Sequence, residues 1–323
     1  MSDLGVKISR RGALIGAGGA IAGVAASAVS PAFAAAEKKG ALPNPIARFG
    51  VGDFEITTLL DGEVPVSEPQ KTFGMNVEAD VFAEASQKHF ISSDGFFNYY
   101  TPTLVNTGSE LILFDTGLGE NGRPDRGNMK SAIESAGYST DDVSIVVLTH
   151  MHPDHILGLM EGGKPTFANA RYVAGSKEYD FWSKTDPESN RVGKLVHSHV
   201  KPLAEKMTFL DDGGSVVSGI TAMGAFGHTP GHMIYMLESN GKQLVLTADT
   251  ANHFVWSLAY PDWEVRFDMD KEAAAGTRRK VFGMIAADRV PFCGFHMPFP
   301  AVGFVEANGD GFRYVAESYQ LSL

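Results

Sequence analysis

The sequence predicts an α/β protein built as a four-layer αββα sandwich, in which two β-sheets face each other and helices cover their outer sides. Short runs of apolar and β-branched residues, typical of buried strands, cluster in each half of the chain. Helical segments follow each cluster, which indicates sheets covered by helices. Loops that contain histidine and aspartate follow strands of both halves, so we expect the strand ends to meet at one edge.

In the first half of the chain, the clearest elements are a hairpin and a fully buried strand. Residues 103–106 and 111–114 form the hairpin, joined through Gly108 and Ser109. Residues 143–149 are uncharged and rich in valine and isoleucine, as in a strand covered on both faces. Further strands are predicted at 54–60 and 171–174, and helices at 128–136, from 177 onward and at 190–206.

The second half repeats this pattern of strands followed by a helix. Three short apolar runs predict strands at 220–223, 234–237 and 243–246. A long helix is predicted at 271–287, and the chain is expected to end with strands at 290–295 and 312–319. These strands supply the second sheet of the sandwich.

Six residues directly after the buried strand bring three imidazoles and a carboxylate together. They are the run 150–155, His-Met-His-Pro-Asp-His. His150 and His152 point the same way from extended backbone, whereas Asp154 and His155 fall at the start of a short helix and can face a second ion. Neutral imidazole and carboxylate groups suit zinc, manganese or iron. This loop is therefore a predicted metal site.

The loop resembles the HxHxDH signature of the metallo-β-lactamase superfamily, and three later segments resemble its other motifs. They are 227–232 (Gly-His-Thr-Pro-Gly-His), 247–250 (Thr-Ala-Asp-Thr) and 295–300 (Phe-His-Met-Pro-Phe-Pro). The resemblance implies two divalent metal ions, Zn²⁺ in the first place, with Mn²⁺ or Fe²⁺ as alternatives. Carried over residue by residue, it implies one ion held by His150, His152 and His232, a second held by Asp154, His155 and His296, and Asp249 bridging the two.

Such a centre implies hydrolysis by a hydroxide that bridges the two ions and attacks a carbonyl or phosphoryl group. Asp249 and Asp154 are the predicted catalytic carboxylates, with Asp249 placed to accept the proton and pass it to the leaving group. Asp115, which follows the strand 111–114, is expected either to orient a histidine ligand or to form a plain turn.

Four residues are predicted to contact the substrate. Phe97 belongs to an aromatic-rich segment near the ligand loops, and Trp182 matches a pocket tryptophan of the branch named below. His228 and His253 lie near predicted ligands in the sequence and could bind substrate or donate a proton. A core position for the aromatic residues, and a hydrogen-bonded structural role for the histidines, are the alternatives.

Within the superfamily the chain resembles the branch of methyl parathion hydrolase and related lactonases. Residues 105–108 (Val-Asn-Thr-Gly), 180–182 (Asp-Phe-Trp) and 227–232 carry the resemblance. Asn252 departs from the N-acyl-homoserine lactonases, which have a tyrosine three residues after the bridging aspartate. The resemblance also implies a homodimer.

From this branch we expect a hydrolase of small-molecule lactones or esters that also has phosphotriesterase activity. A dedicated organophosphate hydrolase is the main alternative. A mononuclear iron dioxygenase acting on persulfides is a second alternative, although it would need only three ligands. A metal-loaded binding protein without turnover is the third.

Charge, cysteine content and length limit the possible partners, disulfides and domain size. The formal net charge is −11 at pH 7, and a chain this acidic repels phosphate backbones, which argues against a nucleic-acid partner. Cys293 is the only cysteine, so no internal disulfide forms, and we expect it to be a small core residue. Residues 48–323 are long enough for one large hydrolase domain.

The N-terminus resembles an export signal of the twin-arginine type. Arg10 and Arg11 precede an uncharged stretch rich in glycine and alanine that ends in an Ala-x-Ala site. We therefore expect residues 1–36 to be a signal peptide read by the twin-arginine export machinery, residues 37–47 to be a linker, and the mature protein to reside in the periplasm. An uncleaved membrane anchor is the alternative.

Overall fold

The structure is a computed structural model that describes residues 45–318. Within them it contains 18 strands and six α-helices. The strands are β1 Ile46–Val51, β2 Phe54–Leu59, β3 Gly62–Ser67, β4 Gly95–Tyr100, β5 Thr103–Asn106, β6 Leu111–Phe114, β7 Ile145–Leu148, β8 Met160–Glu161, β9 Lys164–Pro165, β10 Arg171–Gly175, β11 Met207–Leu210, β12 Ser215–Val217, β13 Ile220–Gly224, β14 Met233–Ser239, β15 Lys242–Ala248, β16 Phe292–Gly294, β17 Val302–Asn308 and β18 Gly311–Ala316. The helices are α1 Ala79–Lys88, α2 Met129–Ser135, α3 Pro153–Ile156, α4 Ser176–Lys184, α5 Arg191–Leu195 and α6 Lys271–Asp288.

Two seven-stranded sheets form the centre of the domain. The first has the order β1-β2-β5-β6-β7-β10-β11, and the second has the order β12-β13-β14-β15-β16-β17-β18. Strands β6, β7 and β10 are parallel neighbours in the first sheet, and β15 and β16 are parallel in the second. Parallel neighbours end at the same edge of a sheet, so the loops that follow them lie side by side.

The apolar core has three main layers, which establish the predicted sandwich. Side chains of both sheets meet in the central layer, where the rings of Phe114 and Tyr235 lie 5.1 Å apart. The outer face of the first sheet packs on α2 and α4, and that of the second sheet packs on α6. The expected four-layer αββα arrangement is confirmed.

Several element boundaries differ from the sequence prediction. Strand β1 begins at Ile46, inside the predicted linker 37–47. The predicted helix 190–206 begins as α5 and continues as a π-helical segment, Val196–Val200, and a 3-10 segment, Lys201–Lys206. Pro202, at the start of the last segment, has no N–H for regular α-helical hydrogen bonding. The predicted signal peptide 1–36 and most of the predicted linker lie outside the described residues. No helix among residues 45–318 is long and apolar enough to cross a membrane.

Strands β3 and β4 and helix α1 form an additional wall that was not predicted. It stands beside the edge of the sandwich at which the predicted metal ligands lie. Strands β3 and β4 form a separate antiparallel pair, the β3–β4 hairpin, and α1 lies in the long connection between them. An aromatic cluster that includes Phe73, Phe82, Trp256 and Trp263 joins this wall to the loop after β15. The hairpin therefore forms one side of the cavity described below.

Candidate metal centre

The strand ends bring all predicted metal ligands except His232 into one cluster. The run 150–155 follows β7, Asp249 follows β15 and His296 follows β16. His228 comes from the loop between β13 and β14. The side chains of His150, His155, His228 and Asp249 are almost completely buried. Both sheets thus deliver polar groups to the same edge, as expected from the sequence.

Asp249 lies at the centre of the cluster. Its Oδ2 atom is 3.3 Å from His228 Nε2, 3.2 Å from His296 Nε2 and 3.8 Å from His150 Nε2. Its Oδ1 atom is 3.3 Å from His155 Nε2. The two carboxylate oxygens face histidines of both halves of the cluster, which is the position that a bridging carboxylate requires.

The ligand atoms separate into two groups. His150, His152, His228 and Asp249 have candidate ligand atoms within 4.8 Å of one another, and so do Asp154, His155 and His296. The two groups adjoin through Asp249, and His296 Nε2 is 3.3 Å from Asp154 Oδ2. The arrangement offers two adjacent positions for divalent cations.

Hydrogen bonding presents the ligand nitrogens to these positions. His155 Nδ1 donates to Asp115 Oδ2 at 2.8 Å, and His228 Nδ1 donates to Asp268 Oδ1 at 2.9 Å. His296 Nδ1 donates to the Tyr99 carbonyl at 2.7 Å. His150 Nδ1 lies 3.1 Å from Thr149 Oγ1, whose own hydrogen donates to Asp115. In each ring, the Nε2 lone pair is left to face the cluster.

Unpartnered buried atoms show that these residues fit metal ions. His150 Nε2, His155 Nε2 and Asp249 Oδ1 are buried and have no hydrogen-bond partner. Leaving a buried polar atom unpaired costs roughly 1–3 kcal/mol, so proteins seldom tolerate several at one place. Imidazole and carboxylate donors without thiolate match the ligand set of a zinc-type hydrolytic centre. The cluster is therefore suited to two divalent cations.

His232 is the point at which the structure departs from the predicted ligand set. Its Nδ1 donates to the Ala225 carbonyl at 3.1 Å, and its Nε2 accepts the backbone N–H of Asp249 at 3.1 Å. Both nitrogens are thus occupied, and burial lowers the pKa of this imidazole to about 3. His228, which was predicted to contact substrate, occupies the position expected of His232, and His232 instead fixes the backbone of Asp249.

Asp115 supports the centre from behind and does not form a plain turn. Its carboxylate accepts hydrogen bonds from the Thr149 backbone at 2.8 Å and from His155. Burial raises the pKa of this carboxyl, while His155 and Thr149 oppose the rise. Of the two roles proposed from the sequence, the orientation of a histidine is the one that the contacts support.

Asp268 plays the corresponding part for His228 and was not predicted. Its other oxygen, Oδ2, accepts from Arg278 Nη1 at 2.7 Å, and both side chains are almost fully buried. Burial raises the pKa of Asp268, but hydrogen bonds and charges from His228 and Arg278 outweigh it and lower the pKa overall. A chain of contacts thus runs from α6 to the metal centre.

Glu178 is a second buried carboxylate that sequence analysis missed. It accepts hydrogen bonds from the backbone of Met151 at 2.9 Å and of Gly231 at 2.9 Å, and from Thr229 Oγ1 at 2.7 Å. A side chain at Gly231 would collide with α4, because its Cβ would lie 2.1 Å from the Glu178 nitrogen. Glu178 therefore ties the first metal loop to the loop of His228.

The metal cluster forms the floor of a cavity of about 440 Å³. Aromatic and aliphatic side chains make up most of its wall, among them Val66, Phe73, Phe96, Val192 and Phe267. The polar side chains at the wall, apart from Thr72, Tyr100 and those of the metal cluster, are Asn98, Asn252, Arg191 and Arg266. An apolar cleft with a few polar groups above a reactive centre is the usual form of a small-molecule site.

Phe97 does not line this cavity, although its neighbour does. Strand β4 alternates, so Phe96, Asn98 and Tyr100 face the cavity while Phe97 points away and is 56% exposed. The prediction chose the right segment, but it named a residue on the face of β4 that points away from the cavity. Only the register of β4 against β3 determines which face turns inward.

Trp182 and His253 are also outside the cavity lining. Trp182 is buried in the core behind His152, and its indole N–H donates to Glu178 Oε1 at 2.8 Å. His253 stacks on Trp256 with ring centroids 4.0 Å apart, and its Nδ1 accepts the N–H of Val255 at 3.1 Å. Burial lowers the pKa of His253 to about 3. Trp182 is thus a core residue and His253 has a hydrogen-bonded structural role, which are the alternatives to substrate contact given in the sequence analysis.

Comparisons with known proteins agree with this geometry. A model of the metallo-beta-lactamase superfamily matches residues 97–292. The solved structure of AidC, a dizinc quorum-quenching lactonase, is 26% identical with a TM-score of 0.79, covering 85% of this chain and 98% of AidC. The hydrolase AbOPH is 25% identical with a TM-score of 0.79, covering 86% of this chain and 99% of AbOPH.

A curated relative matches over a shorter region. The N-acyl homoserine lactonase AttM of Agrobacterium fabrum is 30% identical over 126 residues, which are 37% of this chain and 45% of AttM. The family match includes the loop 150–155 and Asp249, whose side chains lie together at the edge of two sheets. The chain belongs to the metallo-beta-lactamase superfamily and is a metal-dependent hydrolase.

Proposed function

We propose that this protein is an exported dinuclear metallohydrolase that opens lactones or cleaves esters of small apolar acyl compounds. The observation that carries the proposal is the position of Asp249, which contacts histidines of both metal groups at the floor of an apolar cavity. AidC and AttM, which are named as lactonases, support a carbonyl substrate.

We infer that His228, and not His232, completes the first group of ligands. His150, His152 and His228 would hold one ion, Asp154, His155 and His296 the other, and Asp249 both. Zinc suits these donors best. Two such ions supply a Lewis acid for the substrate oxygen and lower the pKa of water, so that hydrolysis proceeds near neutral pH.

The remaining steps fall to side chains at the cavity floor. Asn252 Nδ2 donates to Asp249 Oδ2 at 2.9 Å and fixes the carboxylate that receives the proton of the attacking water. Asn252 also lines the cavity, and its Oδ1 is buried without a hydrogen-bond partner. Asp249 also lines the cavity and can pass the proton taken from water to the leaving alcohol. Asp154 is partly accessible from the cavity and would hold the second ion beside it.

Parallel hydrolysis assays test this function. Purified full-length protein loaded with zinc would be given an acyl-homoserine lactone, an aryl ester and a dialkyl aryl phosphotriester, with Asp249→Asn as the blank. We expect lactone or ester turnover well above phosphotriester turnover, and all of it lost in the blank. Preferred phosphotriester cleavage would establish an organophosphate hydrolase, and no turnover of any substrate would overturn the proposal. Oxygen uptake with a persulfide by the iron-loaded protein would then favour a dioxygenase.

Phe96 lines the cavity, so its replacement should weaken substrate binding. Phe96→Leu should raise KM for an apolar ester about tenfold, because it removes aromatic surface from the cavity wall. Phe97→Leu, on the opposite face of the same strand, should change KM by less than about twofold. Steady-state kinetics of both variants check this, and an equal effect at the two positions would contradict the assigned face.

Export is proposed on the sequence of the N-terminus alone. Arg10 and Arg11 followed by a long uncharged stretch favour the twin-arginine route to the periplasm. Replacing both arginines by lysine should leave the protein in the cytoplasmic fraction of a bacterial host. Recovery of that variant in the periplasm would exclude the route.

A further inference from the structure

Two arginines, Arg191 and Arg266, line the cavity above the metal cluster. Arg191 lies in the first turn of α5, and Arg266 follows the segment that bridges to Phe73. Across residues 45–318, neither guanidinium forms an ion pair or a hydrogen bond. The guanidinium of Arg266 lies 4.7 Å above the ring of Phe267, which also lines the cavity.

These two charges differ from their surroundings. The chain is acidic, with a net charge of −11, and two other arginines, Arg279 and Arg313, pair with the carboxylates of Asp262 and Glu306. The carboxylates that line the cavity are Asp154 and Asp249, and both belong to the metal cluster. The cavity therefore presents free positive charge that no described acidic residue neutralises.

The cavity lining combines apolar side chains with two cationic ones, and together they define the chemistry of a substrate. Apolar side chains such as Phe73 and Phe96 suit a hydrocarbon segment, whereas a guanidinium binds a carboxylate through two parallel hydrogen bonds. We propose that Arg191 and Arg266 form a subsite for an anionic group, and that the preferred substrates are esters or lactones whose acyl chain ends in a carboxylate. This inference rests on the proposed carbonyl hydrolase function.

The reaction is balanced without a further reactant. Water supplies the oxygen of the new C–O bond, the bond from the acyl carbon to the alkoxy oxygen breaks, and one proton goes to the leaving alcohol. The second proton of the water is released, so the acyl product is a dicarboxylate. No change of oxidation state occurs.

A matched pair of esters tests the subsite. Mono-4-nitrophenyl adipate and 4-nitrophenyl hexanoate differ by the carboxylate at the end of the acyl chain. We expect the zinc-loaded protein to show a KM about tenfold lower for the adipate with a similar kcat, as one charge-assisted hydrogen bond would produce. Arg191→Gln and Arg266→Gln should each reduce this preference, and the double variant should abolish it.

Arg289→Gln serves as the matched control. Arg289 is also exposed, but it lies at the end of α6 and does not line the metal cavity. Its replacement should leave the ratio of the two KM values unchanged. Equal KM values for the two esters in the wild-type protein, or a preference that survives in the double variant, would overturn the subsite.

Calorimetry separates this inference from the proposed function. Adipate and hexanoate both offer a carboxylate to the metal centre, and only adipate has a second one for the arginines. Tighter binding of adipate that disappears in the double variant supports the subsite even if no ester is hydrolysed, in which case the proposed function alone fails. Equal binding of the two acids overturns the subsite even if both esters are hydrolysed.

Discussion

Replacing His228 by alanine should lower hydrolysis by more than about 100-fold and reduce the zinc content of the purified protein. His228 Nε2 lies 3.3 Å from Asp249 Oδ2 and 2.9 Å from His152 Nδ1, so its loss removes one donor from the first metal group. Loss of a residue that merely supports a ligand costs 10–100-fold in metal affinity or activity, and loss of a ligand costs more. Metal analysis and steady-state kinetics measure both effects.

His232→Gln is the matched control for this experiment. A glutamine can still accept the N–H of Asp249 and donate to the Ala225 carbonyl, which are the two contacts of His232. We expect the zinc content to stay unchanged and the free energy of unfolding to fall by roughly 1–2 kcal/mol. The ligand assignment would be wrong if His232→Gln lost zinc while His228→Ala retained it.

The fold could be predicted because its central strands are continuous apolar runs. The hairpin of β5 and β6 was predicted to the residue, and β7 was found within the predicted limits. The wall of β3, β4 and α1 was not predicted, because β3 contains Glu63 and Pro65 and α1 lacks a side-chain cap. Such segments adopt their structure by packing against the rest of the domain, and their local patterns carry little signal.

Most of the metal site could be predicted because its ligands follow strands in short motifs. The motif 227–232 contains two histidines, and spacing alone could not show which of them faces the cluster. The structure distinguishes them because His232 directly precedes β14 and its ring is held by backbone groups of Ala225 and Asp249. A histidine whose two nitrogens are both bound to the backbone cannot also bind a metal ion.

Supporting residues could not be predicted because their partners are distant in the sequence. Asp268 lies 40 residues from His228 and Glu178 lies 51 residues from Thr229, and neither belongs to a recognisable motif. A buried carboxylate must be paired or hydrogen-bonded, so the observation that both are buried already indicates a specific role. That observation requires the folded structure.

Breaking the buried ion pair of Arg278 and Asp268 should cause a large loss of stability. Arg278 is 1% exposed, and it donates to Asp268 and to the backbone carbonyls of Pro261 and Trp263. Arg278→Met would leave the buried carboxylate of Asp268 without its cation, a change that typically costs about 3–5 kcal/mol. We expect a loss of that size in the free energy of unfolding, measured by urea denaturation of the zinc-loaded protein.

The adjacent residue of α6 provides the control. Arg279 pairs with Asp262 at the surface, where both side chains are largely exposed, so Arg279→Met should cost less than about 1 kcal/mol. Arg278→Lys keeps the charge but not the geometry that reaches two carbonyls, and we expect an intermediate loss. Because Asp268 also holds His228, the Met variant should bind zinc more weakly than Arg279→Met does. If Arg278→Met and Arg279→Met had equal free energies of unfolding, the buried pair would contribute no more to stability than the surface pair.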